Sequence, residues 1–236
     1  MKLTWYGHST FCIETGDAKI LIDPYLVGNP VWDGGWEKPA EGVTHVLITH
    51  GHDDHMSGAA EVLNKTGAML VANFEICMYL VGQGVVAQDK INPGNIGGTV
   101  DCGNFTTTFV QALHSSSASA EGGGNIYLGN SGGLVLHFSD APTVYHMGDT
   151  DIFSDMALIN ELHEPKIGIV PIGDRFTMGG AVAALACRRF FKFDTVVPCH
   201  FGTFPLLDPT ADKFAEGLEG SGIKVALPKI GETIAL

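Results

Sequence analysis

The chain has little positive charge and no apolar run long enough to cross a membrane. Of its 236 residues, 13 are Lys or Arg and 26 are Asp or Glu, which gives a formal net charge of −13. Binding to a nucleic-acid backbone needs clustered cations, so we expect no nucleic-acid partner. A membrane helix needs about 20 consecutive apolar residues. Because the sequence contains no such stretch, we also expect no membrane partner.

Cysteine is scarce and shows no paired spacing. The five cysteines are odd in number and form no Cys-x-x-Cys motif. This usage is typical of reduced thiols in a cytosolic protein. The N-terminal residues Met1 to Trp5 lack the apolar segment of a signal peptide. We therefore expect a cytoplasmic protein.

The chain does contain a dense run of metal-ligand residue types. Residues 49–55 read Thr-His-Gly-His-Asp-Asp-His and follow the strand-like stretch 43–48. Side chains alternate in an extended loop, so His50, His52 and Asp54 are expected on one side, with His55 arriving as a helix begins. Such converging groups suit a divalent cation, most of all Zn, with Mn, Fe or Co as alternatives. A solvated polar loop is the competing interpretation, and so many ligand-type residues in so short a run argue against it.

Short apolar segments alternate with helical patterns along the whole chain. No low-complexity linker interrupts them, which predicts a single domain over residues 1–236. Helices are predicted at 58–65, 74–80, 181–190 and 209–218, the last with Asp208 as N-cap and Pro209 in its first turn. Strands are predicted at 3–6, 11–14, 19–22, 43–48, 68–71, 105–112, 134–138, 143–146, 167–170 and 195–197.

The run His-x-His-x-Asp-His at residues 50–55 resembles the signature of the metallo-β-lactamase superfamily. Further matches follow in chain order: a His after a strand in 112–116, an Asp in 145–150 and a His in 196–202. The segments Trp-Tyr-Gly-His-Ser at 5–9 and Leu-Ile-Asp-Pro at 21–24 are similar to one branch, the uncharacterised metal-dependent hydrolases of the UPF0173 type. That branch includes ascorbate-phosphate lactonase-like proteins. The match covers almost the whole chain.

The resemblance implies an α/β fold and a two-metal site. The fold would be a four-layered αββα sandwich, with two mixed sheets inside, helices on the outer faces and ligands on loops at one edge. Two divalent ions, most readily Zn, would be the cofactors. The implied ligands are His50, His52 and His114 for the first ion, Asp54, His55 and His200 for the second, and Asp149 bridging both.

The resemblance also implies hydrolysis of a small molecule, which could be anionic. A hydroxide shared by the two metals would attack an ester, lactone, amide or phosphodiester bond, with Asp54 as general base or proton shuttle. His52 favours hydrolysis, because the superfamily's di-iron oxygen-reducing branch has Glu at that position. Iron-dependent dioxygenase relatives keep the His, so an iron-dependent oxidoreductase is the alternative. A binding module with a purely structural metal is a third possibility.

Several residues near these motifs have two interpretations each. Asp23 either caps a strand end or fixes the tautomer of a ligand histidine. His8 is either a satisfied turn histidine or a substrate contact or proton donor at the mouth of the site. Arg175 either anchors a substrate anion beside a helix capped by Thr177 or lies on the surface. Cys199 is expected to be a core residue rather than a ligand.

The remaining histidines and one long loop complete the expectations. His45, His137, His146 and His163 have no partner motif and are expected to be non-ligands. The loop from Pro24 to Pro39 carries two tryptophans. It could cover the site as a lid, or bury those side chains at a subunit contact. A homo-oligomer is plausible on this evidence.

Overall fold

The computed structural model describes residues 1–120 and 122–236 and contains two large mixed β-sheets. The first sheet has the spatial order β15-β1-β2-β3-β4-β5, antiparallel from β15 to β3 and parallel from β3 to β5. Its strands are β1 (Lys2–Trp5), β2 (Phe11–Thr15), β3 (Ala18–Ile22), β4 (His45–Leu47), β5 (Met69–Val71) and β15 (Thr233–Ala235).

The second sheet has seven strands and repeats this change of direction. Its order is β14-β13-β12-β11-β10-β7-β6, antiparallel from β6 to β11 and parallel from β11 to β14. Its strands are β6 (Thr99–Asp101), β7 (Phe105–Gln111), β10 (Gly132–Phe138), β11 (Val144–His146), β12 (Ile167–Pro171), β13 (Thr195–Cys199) and β14 (Lys224–Val225). A separate hairpin pairs β8 (Ser117–Ser119) with β9 (Asn125–Tyr127).

In the described part of the chain, seven α-helices and one 3-10 turn at Gln88–Lys90 connect these strands. Among the described residues, no helix has both the length and the apolar character that a membrane crossing requires. The helices are α1 (Glu37–Ala40), α2 (Asp53–Met56), α3 (Ala59–Thr66), α4 (Phe74–Gly82), α5 (Met156–His163), α6 (Gly180–Phe190) and α7 (Asp212–Gly217).

The alternation of side chains along the strands builds four layers. In β3, Ile20 and Ile22 enter a core shared with Phe109 and Leu134 of the second sheet. Leu21 between them points the other way, into a cluster with residues of α3 and α4. A third cluster joins the outer face of the second sheet to α5, α6 and α7. Two sheets packed face to face with helices outside confirm the predicted αββα sandwich.

Parallel strands bring the predicted site residues to one edge of the sandwich. Adjacent parallel strands end at the same sheet edge, so Asp23 after β3 lies beside residues 49–55 after β4. In the second sheet, β11 and β13 end near Asp149 and His200 in the same way. The His200 N–H donates to the His8 carbonyl across the two sheets at 3.1 Å.

One predicted helix start and one predicted helix cap are wrong. The C-terminal helix begins at Asp212 rather than Pro209, and Asp208 does not cap it. The Asp208 N–H instead donates to the Gly173 carbonyl, and its own carbonyl accepts from Gly202, so helical geometry cannot begin there. Thr177 does not cap α6 either, because its hydroxyl donates to the Met178 carbonyl.

The metal-ligand run is also less extended than predicted. Helix α2 begins at Asp53, directly after His52, so the alternation of an extended loop stops at His52. Asp54 and His55 therefore leave the backbone from a helical turn. Both residues join a second group of ligand atoms, and His55 also lies close to His50 and Asp149.

Candidate metal centre

Three histidines from two loops converge on one point. His50 Nε2 lies 3.0 Å from His52 Nδ1, and His114 Nε2 lies 3.2 Å from the same nitrogen. Two ligand nitrogens around a tetrahedral Zn at roughly 2.1 Å would be about 3.4 Å apart. The three nitrogens therefore have the spacing of donors around a single cation.

A second group lies next to the first. Ligand atoms of His8, Asp54, His55 and His200 all lie within 4.8 Å of one another. Three of these four residues were predicted as ligands of the second ion, and His8 is the addition. The second group comes from the helical turn α2, the turn after β1 and the loop after β13.

Asp149 lies between the two groups. Its Oδ2 atom is 2.9 Å from His200 Nε2 and 3.7 Å from His114 Nε2, and its Oδ1 atom is 3.4 Å from His55 Nε2. One carboxylate thus contacts a histidine of each group, which is the placement that a bridging ligand needs. Gly148, which precedes it, has φ +64° and a backbone too crowded for a side chain.

Asp23 is buried and sets the orientation of two histidine rings. Its Oδ2 atom accepts from His55 Nδ1 at 2.8 Å and from the Thr49 hydroxyl at 2.7 Å. The Thr49 hydroxyl in turn accepts from His50 Nδ1 at 3.0 Å. With both Nδ1 atoms protonated, the Nε2 lone pairs of His50 and His55 face the cluster.

The donor set fits a pair of divalent cations. His55 Nε2 and Asp149 Oδ1 are buried and lack a hydrogen-bond partner. Leaving such an atom unsatisfied costs about 1–3 kcal/mol, and a cation between them would satisfy both. Imidazole and carboxylate ligands in two adjoining groups suit Zn and the neighbouring first-row metals.

The electrostatics favour cation binding. Burial lowers the pKa of His50, His52 and His114, so these imidazoles are neutral at pH 7 and offer lone pairs. Burial opposes charge on His55 too, but Asp149 and Asp23 outweigh it and raise that pKa. The histidines in turn hold the pKa of Asp149 below its ordinary value against the effect of burial.

His8 is buried inside the site, not at its mouth. Its Nε2 lies 3.2 Å from Asp54 Oδ2, and its Nδ1 lies 2.9 Å from Thr203 Oγ1. Burial, followed by the neighbouring His200, lowers the pKa of His8 to about 4, so the ring is neutral. A neutral ring that donates from Nε2 to Asp54 accepts the Thr203 hydroxyl at Nδ1.

An open cavity of about 540 Å³ adjoins the second group of ligands. Arg175 is not among the described residues that line it; this side chain is exposed, with its guanidinium 5.9 Å from the centre of the Phe176 ring. The cavity is lined by Tyr25, Val27, Gly28, His52, Asp53, Asp54, Ser57, Ser117, Ser119, Asn125 and Phe204.

Four other histidines lie outside these groups. His146 is buried and donates from Nε2 to the Ser9 carbonyl, while its Nδ1 accepts from the Gly148 N–H. His137 and His163 contact each other at 3.3 Å, between β10 and α5. His45 packs on Phe105. Cys199 is fully buried in the core between the sheets.

The tryptophans of the Pro24–Pro39 loop pack against the chain itself. Trp32 meets the Tyr6 ring edge-on, with 4.9 Å between the centroids. Both tryptophans pack against the apolar cluster that the first sheet forms with α3 and α4. The residues of this loop that reach the cavity are Tyr25, Val27 and Gly28. The start of the loop, not its tryptophans, therefore adjoins the site.

Sequence reasoning missed Thr49, Ser115 and Thr203. Thr49 links Asp23 to His50, Thr203 supports His8, and Ser115 Oγ lies 3.3 Å from His52 Nε2. Each is adjacent to a ligand or follows one within three residues. That proximity was an available signal, but hydroxyl residues are too common in loops for it to single them out.

Three comparisons with known proteins give consistent results. A family described as the beta-lactamase superfamily domain matches residues 2–200. A UPF0173 metal-dependent hydrolase of Mesorhizobium japonicum is 82% identical over 236 residues, covering 100% of both chains. The structure of a metallo hydrolase from the archaeon Ignicoccus hospitalis matches with a TM-score of 0.86 and 32% identity, over 99% of this chain and 97% of that one. CmlA, a diiron β-hydroxylase of Streptomyces venezuelae, shares the fold at 15% identity and a TM-score of 0.75, over 100% of this chain and 54% of that one.

Proposed function

The chain belongs to the metallo-β-lactamase superfamily, and from that membership we propose that it is a dinuclear metal-dependent hydrolase of small molecules. The bond cleaved is an ester, lactone, amide or phosphodiester. The observation that carries the proposal is the position of Asp149, whose carboxylate contacts His114 of one ligand group and both His55 and His200 of the other.

The residues that would hold the metals follow from the two groups. His50, His52 and His114 would bind one ion, and Asp54, His55 and His200 the other, with Asp149 shared between them. Two such ions, which we propose to be Zn, would supply Lewis acidity and bring the pKa of bound water into the neutral range. Metal binding requires neutral histidines and ionised carboxylates, so His55, whose pKa is raised, would release its proton when a cation binds.

Asp54 is positioned to handle protons. Its Oδ2 atom is held by His8, and its side chain is 31% exposed toward a cavity that it helps to line. Burial alone would raise the pKa of Asp54, but the His8 hydrogen bond and the charge of His55 lower it below its ordinary value. The ionised carboxylate lines the cavity, where it would accept a proton and pass it to a leaving group.

An iron-dependent oxidoreductase on the same scaffold is the second candidate. The fold shared with a diiron hydroxylase favours considering it. Against it stands the histidine-rich first group, in which His52 contributes a nitrogen rather than a carboxylate. A tightly held iron with visible absorbance and substrate-dependent oxygen uptake would identify this alternative.

The proposed location is the cytoplasm. All five cysteines are free and buried. Free thiols of this kind are usual in reducing compartments.

The test is turnover under defined metal loading. We expect zinc-loaded protein to hydrolyse at least one member of a panel of lactones, thioesters, phosphodiesters and β-lactams, and chelation to abolish that activity. His52→Ala and Asp149→Ala should each lower kcat by about three orders of magnitude, because each removes a metal ligand.

His45→Ala is the matched control, since His45 contacts Phe105 and Thr44 away from the site. This variant should retain most of the turnover. Undiminished turnover in the His52 or Asp149 variants, or in chelated protein, would refute the assigned ligands.

A further inference from the structure

We propose that the cavity beside the metal ligands selects uncharged small molecules with a flat apolar part and discriminates against anions. The inference rests on the proposed hydrolase function, because the cavity is taken as the place where the substrate lies. It adds the chemical class of the substrate, which metal ligands alone do not define.

One wall of the cavity is aromatic. Tyr25 and Phe204 both line it, with their ring centroids 6.4 Å apart. His8 packs edge-on against each ring, which fixes both beside the second ligand group. The Tyr25 hydroxyl donates to the Gly28 carbonyl at 2.8 Å, so it is already engaged. This wall therefore offers ring surface to a flat apolar group.

A second part of the lining is polar but carries neutral groups. It comes from the β8–β9 hairpin, which contributes Ser117, Ser119 and Asn125. Hydroxyl and amide side chains can both donate and accept hydrogen bonds. They can orient a carbonyl, hydroxyl or amide of the substrate without requiring that it be charged.

The ionisable side chains of the lining carry negative charge or are metal ligands. Asp53 is exposed at the cavity and accepts a hydrogen bond from the Ser119 hydroxyl at 2.7 Å, and Asp54 lies next to it. Among the described lining residues there is no Lys or Arg. A carboxylate or phosphate on the outer part of a substrate would thus meet like charge, with no protein cation to pair with.

The size of the cavity further limits the class of substrate. About 540 Å³ is within the range of ordinary small-molecule sites and too small for a folded partner. We therefore infer a compact, uncharged acyl compound, such as a neutral ester, lactone or amide bearing a ring or short apolar chain. The expectation of an anionic substrate anchored by Arg175 is not supported by this lining.

Binding of two matched hydroxamic acids to the metal-loaded protein tests the inference without requiring turnover. Benzohydroxamic acid is neutral at pH 7, and 4-carboxybenzohydroxamic acid carries one added negative charge on the same ring. Calorimetry at low ionic strength should give a Kd for the neutral compound at least about tenfold lower than for the carboxylated one. The added carboxylate would be repelled by the carboxylates of the cavity lining.

Asp53→Asn should reduce that preference severalfold, because it removes the exposed carboxylate of the lining. Glu161→Gln is the matched control: it removes one exposed carboxylate from α5, outside the cavity lining, and should leave the preference unchanged. Raising the salt concentration should also reduce the preference of the unaltered protein, through screening.

Equal or tighter binding of the carboxylated compound would overturn the inference. So would failure of both compounds to bind protein whose metal content is confirmed, because the cavity would then not receive a small aromatic ligand. Failure of the proposed function looks different: the neutral compound binds preferentially, but no substrate in the panel is hydrolysed.

Discussion

At the scale of single residues, Asp23 organises more of the site than any sequence motif suggests. It is fully buried, and one carboxylate fixes His55 directly and His50 through the Thr49 hydroxyl. Its Oδ1 atom also accepts from the Thr49 N–H at 2.8 Å. Each ligand group therefore has one histidine whose tautomer depends on Asp23. This coupling would make the two proposed metal positions interdependent.

Thr49→Val tests that coupling at its most specific point. Valine keeps the shape of threonine but removes the hydroxyl between His50 Nδ1 and Asp23 Oδ2. We expect metal affinity to fall by about 10–100-fold, the usual effect of losing such a support. Titration of the metal-free protein with zinc measures it.

Thr49→Ser keeps the hydroxyl and should bind zinc like the unaltered protein. If the valine variant binds zinc as tightly as the serine variant, the hydroxyl has no part in orienting His50.

At the scale of secondary-structure elements, the sequence predicted what local patterns determine and missed what distant contacts determine. The ten predicted strands and the helices now called α3, α4 and α6 are present within two residues of their predicted bounds. The start of α7 was misplaced because Asp208 is held by Gly173 and Gly202. No local pattern reports such a contact.

The same division applies to the site. The order of the His and Asp motifs predicted the seven metal-ligand candidates that the structure gathers. The cavity walls could not be predicted, because Tyr25, Phe204 and the β8–β9 hairpin meet only in the folded chain. Their residue types carry no signature of a binding site on their own.

Gly173→Ala tests the close packing between the end of β12 and the His200 loop. A Cβ at this position would collide with the His200 carbonyl oxygen, so the His200 loop would have to move. We expect a loss of about 1–3 kcal/mol in the free energy of unfolding, as in other overpacked sites, and weaker binding of the second metal. Chemical unfolding and zinc titration measure the two effects.

Gly82→Ala in α4 is the control, because nothing lies within 4 Å of a Cβ there. It should be neutral or stabilising by up to about 1 kcal/mol, since alanine favours a helix over glycine. A Gly173 variant as stable as the Gly82 variant, with normal zinc binding, would contradict the proposed crowding.

The contact between β10 and α5 predicts a dependence of stability on pH. Burial lowers the pKa of His137 and of His163, and the His137 charge lowers that of His163 further. The unfolded chain, with pKa values near 6.5, then binds protons before the folded chain does as the pH falls. The contribution of this contact to the stability of the folded chain is therefore complete above about pH 6.5 and falls as the pH is lowered further.

Urea unfolding at pH 7.5 and pH 5.5 measures this effect in the unaltered protein and in His163→Gln. The variant should lose less stability between the two pH values, because other titrating groups are common to both proteins. An identical loss would show that the pair does not contribute.

At the scale of the whole molecule, the sandwich brings the ends of two sheets together around buried charge. The chain has a formal net charge of −13, and Asp23 and Asp149 are buried at the edge where the parallel strands end. Bound dications would offset this negative charge, so their binding and the folding of the site should be coupled. Loops of each sheet contribute residues to both ligand groups, and a loop of the second sheet also carries Asp149. Neither sheet can therefore form the site by itself.

Crystals of zinc-loaded protein, measured on both sides of the zinc absorption edge, test the two-metal centre most directly. We expect two anomalous peaks about 3.5–4 Å apart, one among His50, His52 and His114, the other among Asp54, His55 and His200, with Asp149 touching both. A single peak, or two peaks that do not share Asp149, would contradict the dinuclear centre.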